Sequence, residues 1–490
     1  MNKIINRVKN IKYFEYFILS LILVTGFVVR LYKLNNPIAD WHSWRQADTA
    51  SVSKIYVQKG INLLLPRYHD ISSIQTGIFN PNGYRMVEFP LYNAIHAVLT
   101  KSFPVFSLEV WGRLLSIISW AVSTYLLFLI GRKYLGKWGG ILAAFFFSFI
   151  PYNVYFTRVI LPEPLSETFA LLSLWLLITF VDKDQWPWLF LSAGALAVSL
   201  LIKPSTFFYF IPAAYLIFNK YKNTRTIIDT PWLLVKLFIY LAICLLPVLG
   251  WRIWINQYPA GIPFFEWAFN GDRIRFRPAF WRWIFAERIG RLILGIWGLF
   301  PFLLGAIVKR KNYFTLSFMV GALVYLTVFA TASIRHDYYQ IFVIPPISLL
   351  LAEGSLFLWN SRVFSLRLSR TILVFSIVLM LGLGAYQIKE DYKINHPEII
   401  AAGKVVDKIT PKDALVIAPY NGDTAFLYQT NRWGWPAVDD SIDNLIGRGA
   451  GYYVSVDLGS PDTQLVTSRF ETIIKTGEYL IVDLNKPLKK

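Results

Sequence analysis

The chain has 490 residues, of which 55% are hydrophobic, 17% aromatic and only 16% charged. No soluble domain of ordinary composition hides that much apolar surface, so the chain is expected to be a polytopic α-helical membrane protein. The formal net charge of +19 would suggest a nucleic-acid partner on a soluble chain; here Lys and Arg cluster between long apolar runs and report topology instead, and no nucleic acid is expected.

In chain order, a basic start (Lys3, Arg7, Lys9 and Lys12) precedes an apolar run over 16–29. Arg30, Tyr32 and Lys33 follow it in place of a small-residue cleavage site, so it reads as an uncleaved first helix, not a signal peptide. About eleven stretches are apolar over roughly 20 residues, the length that spans a hydrocarbon core. They cover 14–33, 108–130, 138–156, 163–181, 187–203, 206–219, 231–252, 289–308, 313–333, 338–359 and 371–388. With the N-terminus cytoplasmic, alternate short connections carry Arg132, Lys133 and Lys137; Lys183; Lys220, Lys222 and Arg225; Lys309, Arg310 and Lys311; and Arg362, Arg367 and Arg370. All fall on one side, as the excess of positive charge in cytoplasmic loops requires. The long connections 34–107 and 252–288, the turn 157–163 and the tail from 389 then face outward. The only cysteine, Cys244, excludes an intramolecular disulfide and a Cys-based metal site.

Two domains are expected, 1–388 in the membrane and 389–490 as a small extracytoplasmic α/β domain. The tail shows strand patterns at 414–418, 452–456 and 479–482 and helical patterns at 399–409 and 441–446.

The outward loops hold the chemistry-bearing residues. Loop 34–107 carries Asp40-Trp41-His42-Ser43-Trp44-Arg45-Gln46-Ala47-Asp48, with amphipathic helical patterns over 48–57 and 89–99. Trp41, Trp44, Tyr56 and Tyr92 are available as interface anchors, and such helices would lie along the membrane over a cavity; an aromatic belt with a solvated acid is the plainer reading. The turn Arg158-Val159-Ile160-Leu161-Pro162-Glu163 places Glu163 at the start of the fourth helix, where a dipole-stabilised cap and a functional carboxylate are both consistent. Glu167, one turn further in, requires an ion pair to be tolerated. Lys203, Arg273, Arg275, Arg277, Arg282 and Arg335 collect on the same side against the charge rule, which asks for an anionic partner such as a lipid phosphate; a headgroup-binding surface helix over 273–283 is the alternative. In Arg335-His336-Asp337-Tyr338-Tyr339, the His–Asp pair suits a base, metal ligation or a helix start.

Five motifs carry a family resemblance: Trp44-Arg45-Gln46-Ala47-Asp48-Thr49, Glu88-Phe89-Pro90-Leu91-Tyr92, Leu161-Pro162-Glu163-Pro164, Leu201-Ile202-Lys203-Pro204 and His336-Asp337-Tyr338-Tyr339. In this order they resemble the C-type (GT-C) glycosyltransferase superfamily, family 39-like, in the branch of protein O-mannosyltransferases and the aminoarabinose transferase that modifies lipid A. The resemblance implies a polyprenyl-phosphate sugar donor, a hydroxyl acceptor and an acidic base in the first outward loop. At the position of the family's Asp-Glu pair this chain has Arg45-Gln46, which leaves Asp48, one helical turn on, or Asp40 as base. Glu88 matches the Glu of the family's Glu-Lys-Pro-Pro run, but Phe89 replaces the lysine. Glu163 matches the second-loop acid.

The expected reaction is inverting transfer on the outer face of the membrane. Asp48 or Asp40 is the base, Glu163 helps orient the acceptor, and Lys203, Arg273, Arg275, Arg335 and Arg158 contact the donor phosphate. Trp44, Arg45, Glu88 and Tyr338 are the further substrate and loop residues. The motifs make no cofactor certain; a divalent metal ion is an open candidate, with Glu88, His336 and Asp337 as its ligands provided that they converge. A transporter or flippase for a lipid-linked or anionic solute is the competing class, and it predicts charges near the bilayer midplane and two related halves, neither of which the sequence displays.

Overall fold

The computed structural model describes residues 13–222, 230–310, 312–361 and 363–489. The basic residues Lys3, Arg7, Lys9, Lys12, Arg225, Lys311 and Arg362 lie outside them. The chain divides into two compact units. One comprises Met1–Tyr32, Leu114–Gly250 and Phe265–Glu390, the other Lys33–Arg113, Trp251–Phe264 and Asp391–Lys490. The first long loop and a short piece over 251–264 group with the tail, and the helical unit ends at Glu390.

In the helical unit the apolar stretches are largely helical, including Phe14–Arg30, Leu108–Phe149, Glu163–Lys183, Trp186–Ile202, Phe210–Tyr221, Phe314–Val328, Ile344–Asn360 and Leu366–Ile388. Two expected spans merge into Leu108–Phe149, with a break at Gly136, whose φ of 78° interrupts the helix where the sequence has its basic connection. Five described stretches are long and apolar enough to cross a membrane: Leu108–Phe149, Glu163–Lys183, Trp232–Ile255, Asp337–Asn360 and Leu366–Ile409. Other expected crossings are split, 289–308 into a π-helical Trp283–Ile293 and a short helix Leu299–Ile307, and 206–219 into a 3-10 turn Pro204–Tyr209 and Phe210–Tyr221.

Without a hydrophobic force between helices in lipid, close backbone approach at small residues does the packing. A Cβ on Gly305 would stand 1.9 Å from the Leu350 carbonyl oxygen, and one on Gly354 would stand 1.8 Å from that of Pro301, so Leu299–Ile307 and Ile344–Asn360 meet backbone to backbone. The end of the first helix is pinned by fully buried Arg30, which donates to Thr157 Oγ1 at 2.8 Å and to the Ser148 carbonyl at 3.0 Å and lies 3.8 Å over the Trp120 ring.

The second unit contains a five-stranded mixed sheet. Its strands are β1 (Leu415–Ile417), β2 (Trp433–Trp435), β3 (Ala450–Ser455), β4 (Phe470–Lys475) and β5 (Leu480–Pro487), in the order β2-β1-β3-β5-β4. β1 pairs parallel with β2 and β3, while β5 pairs antiparallel with β3 and β4. The expected strands correspond to β1, β3 and β5, and the expected helices to Pro397–Ile409 and Ile442–Gly447. The first loop extends this sheet. Ile71 N donates to the Gly434 carbonyl and Gly434 N to the His69 carbonyl, so residues 69–71 run beside β2. Gly434 is required there because a Cβ would lie 1.8 Å from the Val416 carbonyl oxygen.

The first-loop helix is longer than expected, Ser43–Lys59, and a second runs over Leu91–Ser102. The expectation of an amphipathic helix with aromatic anchors needs correction. Every residue from Arg45 to Ser53 is buried, as are Tyr56 and Tyr92, whose hydroxyls donate to the carbonyls of Asn62 (2.6 Å) and Gly112 (2.8 Å). The reason is tertiary: the helix is packed against both Leu91–Ser102 and the tail helix Thr424–Gln429, so polar and aromatic faces alike are enclosed by protein.

Candidate active site

In the loop-and-tail unit the polar residues of 40–48 form a buried network. Asp40, at 3% exposure, precedes the Ser43–Lys59 helix; its Oδ1 accepts from Gln46 Nε2 at 2.7 Å and its Oδ2 lies 3.8 Å from Arg113 Nη2. Arg113 is itself fully buried and donates to the Leu34 carbonyl, which fixes the entry into the loop. Arg45 pairs with Glu88, so two of the expected substrate-lining residues are joined across the loop. Trp44 offers its carbonyl to Thr424 Oγ1 at 3.2 Å.

Asp48, at 1% exposure, is held at both oxygens. Oδ1 accepts from Thr424 Oγ1 at 2.7 Å and Oδ2 pairs with Arg85 Nη2 at 2.8 Å. Asp70 and Asp423 stand near the same charge. Burial pushes each of their carboxyls up to about 6, with the Asp48 charge adding to the effect. Asp423 also caps the Thr424–Gln429 helix by accepting from Ala425 N. His69, which touches Ser51, is driven down to about 3 by burial and stays neutral.

The helical unit holds a second cluster. Glu163, fully buried at the start of Glu163–Lys183, pairs at 2.7 Å with Lys203, which follows the end of the neighbouring helix Trp186–Ile202. Lys203 Nζ lies 5.9 Å from the centre of the Tyr339 ring, which stacks with His336 and lies tilted against Tyr338. Asp337 lies 3.8 Å from Arg288 Nη1, and its carbonyl accepts from the Tyr152 hydroxyl at 2.6 Å. Tyr338 is buried. The arrangement brings two acids, two cations, a histidine and tyrosine rings together, each cation beside one acid, a set in which an added anion would compete for the cations.

The remaining expected cations differ among themselves. Arg275 is engaged by the carbonyls of Phe269 (3.1 Å) and Val328 (2.8 Å), which makes it a brace between segments. Arg335 is 57% exposed, lies 3.7 Å from Asp272 and stands over Trp267; Arg273 is exposed with a left-handed φ of 54°. Arg158 is fully buried beside Tyr155. Arg277 and Arg282 are exposed. Among the described residues no three His, Cys, Asp or Glu side chains gather as a metal site, so the set Glu88, His336 and Asp337 gains no support.

Several participants escaped the sequence reading. Arg85 and Arg113 sat unremarked in or beside the first loop, Arg288 at the edge of an apolar stretch, and Thr424 in the tail. The one usable signal was Arg85, a cation three residues before Glu88 in a loop already rich in acids.

The family model described as dolichyl-phosphate-mannose-protein mannosyltransferase matches residues 90–251. No curated protein matches the sequence significantly. Among solved structures, the crystal structure of ArnT from Cupriavidus metallidurans bound to undecaprenyl phosphate superposes with a TM-score of 0.63 at 13% identity, over 94% of this chain and 97% of that one. The same protein in the apo state gives 0.61 at 13% identity with the same coverage. Residues 90–251 thus match the mannosyltransferase family model, and the chain as a whole has the fold of ArnT, with several helices apolar and long enough to cross a membrane and a small C-terminal sheet domain.

Proposed function

We propose that the chain transfers a sugar from a polyprenyl-phosphate donor to a hydroxyl acceptor at the extracytoplasmic face of the membrane, with inversion at the anomeric carbon. The observation that carries this reading is the joint match of family pattern and fold, to which the buried acid and cation clusters add the chemistry. ArnT binds undecaprenyl phosphate in the crystal, and a carrier of that class suits the cations of the helical unit.

A base removes the acceptor's hydroxyl proton as its oxygen attacks the anomeric carbon; the bond from that carbon to the phosphate oxygen breaks, and polyprenyl phosphate leaves with its negative charge. Asp40 is the favoured base, because Arg113 stands 3.8 Å from its Oδ2, beyond hydrogen-bond distance, whereas the partners of Asp48 lie within 2.8 Å of both its oxygens. Asp48 is the weaker candidate because Thr424 and Arg85 hold its two oxygens, which makes it a strut for the Ser43–Lys59 helix. Lys203 with Arg288 and Tyr339 carries the donor phosphate, and Glu163 positions Lys203 through their 2.7 Å pair instead of orienting the acceptor. Arg335 and Arg273, both exposed, serve as further phosphate or headgroup contacts. With this topology the N-terminus is cytoplasmic and the sheet domain extracytoplasmic.

The test is transfer of label from a radiolabelled polyprenyl-phosphate sugar in membranes carrying the chain. Label entering an acid-stable glycoside supports the reading; label that only crosses the bilayer supports a flippase.

A further inference from the structure

A cleft in the loop-and-tail unit lies away from the acids assigned to transfer. It encloses about 800 Å³ between the C-terminal end of the Ser43–Lys59 helix, the loop around residues 67–82 and the edge strand β2. Asp48 and Lys59 are eleven residues apart on one helix, which at 1.5 Å per residue is about 16 Å.

Five cations line the cleft, Lys54, Lys59, Arg67, Lys412 and Arg432, and the first three have no carboxylate within ion-pair distance among the described residues. Each of these three is held over an aromatic ring: Lys54 Nζ, which also donates to Asn431 Oδ1, is 4.5 Å from the centre of Tyr428, Lys59 Nζ 4.7 Å from Trp433, and the Arg67 guanidinium 5.2 Å from Tyr84. Cation–π contact is a weaker partner than an anion, so these charges are under-compensated. The lining acids do not offset them fully. Asp407 is taken up by Lys412 and Arg432, each at 2.7 Å, and Asp413 is exposed. Burial lowers the Lys54 ammonium below its usual value, outweighing the opposite pull of the Glu109 and Asp407 charges. The exposed amides of Gln58 and Asn82 stand at the rim, where they can donate and accept with hydroxyls.

We infer that this cleft binds an anionic saccharide, a short glycan bearing carboxylate or phosphate groups. The cations meet its charges, the amides meet its hydroxyls, and the Trp433 ring offers an apolar wall for a sugar face. The volume suits a ligand of a few rings and not a polymer lying flat on a surface.

The experiment uses the purified full chain in detergent micelles and reads binding calorimetrically with no sugar donor present, so loss of the transfer reaction leaves this result standing. The probes are trigalacturonate, neutral maltotriose and inorganic phosphate. Trigalacturonate is expected to bind most tightly, with affinity falling as salt rises. Lys59→Ala with Arg67→Ala should weaken it about tenfold or more, the effect of losing charge-assisted contacts, while Lys475→Ala on β4 leaves it unchanged. Both replaced side chains lack carboxylate partners, and thermal unfolding of the double variant at the wild-type temperature secures the comparison. Equal binding of maltotriose, equal binding of phosphate alone, or wild-type affinity in the double variant overturns the inference. So does displacement of trigalacturonate by phosphatidylglycerol vesicles but not by phosphatidylcholine vesicles, which marks a lipid headgroup site.

Discussion

Replacing Arg85 by alanine tests whether Asp48 is a strut. The pair is 2.8 Å long, with side chains 9% and 1% exposed. At an effective dielectric of about 20 the attraction across that distance is about 6 kcal/mol before desolvation is subtracted. Removing one partner of such a buried pair costs about 3–5 kcal/mol, because the other charge stays buried. Thr424 still donates to Asp48, so the lower end of that range applies to Arg85→Ala. Adding Asp48→Asn removes the stranded charge and keeps an acceptor for Thr424, so the double variant should be more stable than Arg85→Ala alone, by about 1–2 kcal/mol. Hydrogen exchange at the amides of Thr424–Gln429 reads the opening free energy of the helix that Asp48 holds. A change within about 0.5 kcal/mol for Arg85→Ala, the range of an ordinary surface substitution, would refute the reasoning. A double variant less stable than Arg85→Ala would do the same.

Three further outcomes follow from the geometry. Gly305→Val should unfold the helical unit at a markedly lower temperature in detergent, since its Cβ would stand 1.9 Å from a backbone oxygen; an unchanged midpoint contradicts the backbone-to-backbone packing. His69 is neutral when folded, with a value near 3 against 6.5 when unfolded, so it withdraws stability as pH falls from 6.5 towards 3. Asp70 and Asp423, raised to about 6, act in the opposite sense below pH 6, so the readout is the difference between wild type and His69→Gln across pH 4–7; a pH-independent difference contradicts it. Lys203→Ala should both destabilise the chain and raise the donor KM, whereas Lys203→Ala with Glu163→Gln should restore stability and leave KM high; recovery of both in the double variant shows that Lys203 does not touch the donor.

The membrane class was legible because apolar runs and loop charge obey bilayer physics without reference to neighbours. Glu163 and Lys203 stand out in the sequence as charges at the ends of apolar stretches, but their 2.7 Å pair does not. The tail strands β1, β3 and β5 read clearly as apolar β-branched or aromatic runs. β2 did not, being three residues with a glycine at its centre, and neither did the edge strand β4, whose alternate residues face solvent. The role of Asp48 was illegible for a different reason: its partners Arg85 and Thr424 are 37 and 376 positions away, and spacing along a chain carries no trace of such pairing. Tyr56 and Tyr92 misled in the same way, since a tyrosine pattern suited to an interface also suits a core when two other helices close over it. Arg45-Gln46, where the resemblance broke, is not an empty site: Arg45 pairs with Glu88 and Gln46 supports Asp40.

The central claim is glycosyl transfer with Asp40 as base, and it is tested most directly by one measurement. Purified wild type and Asp40→Asn are compared in liposomes with a labelled polyprenyl-phosphate sugar and a membrane extract as acceptor, at saturating donor. Loss of a general base costs about 10²–10⁴ in rate, so Asp40→Asn should fall by at least that lower factor while donor KM holds, with turnover read below the lowered unfolding temperature expected once buried Arg113 loses its ion pair. Wild-type turnover in Asp40→Asn, or label that crosses the bilayer without forming a glycoside in either protein, contradicts the account.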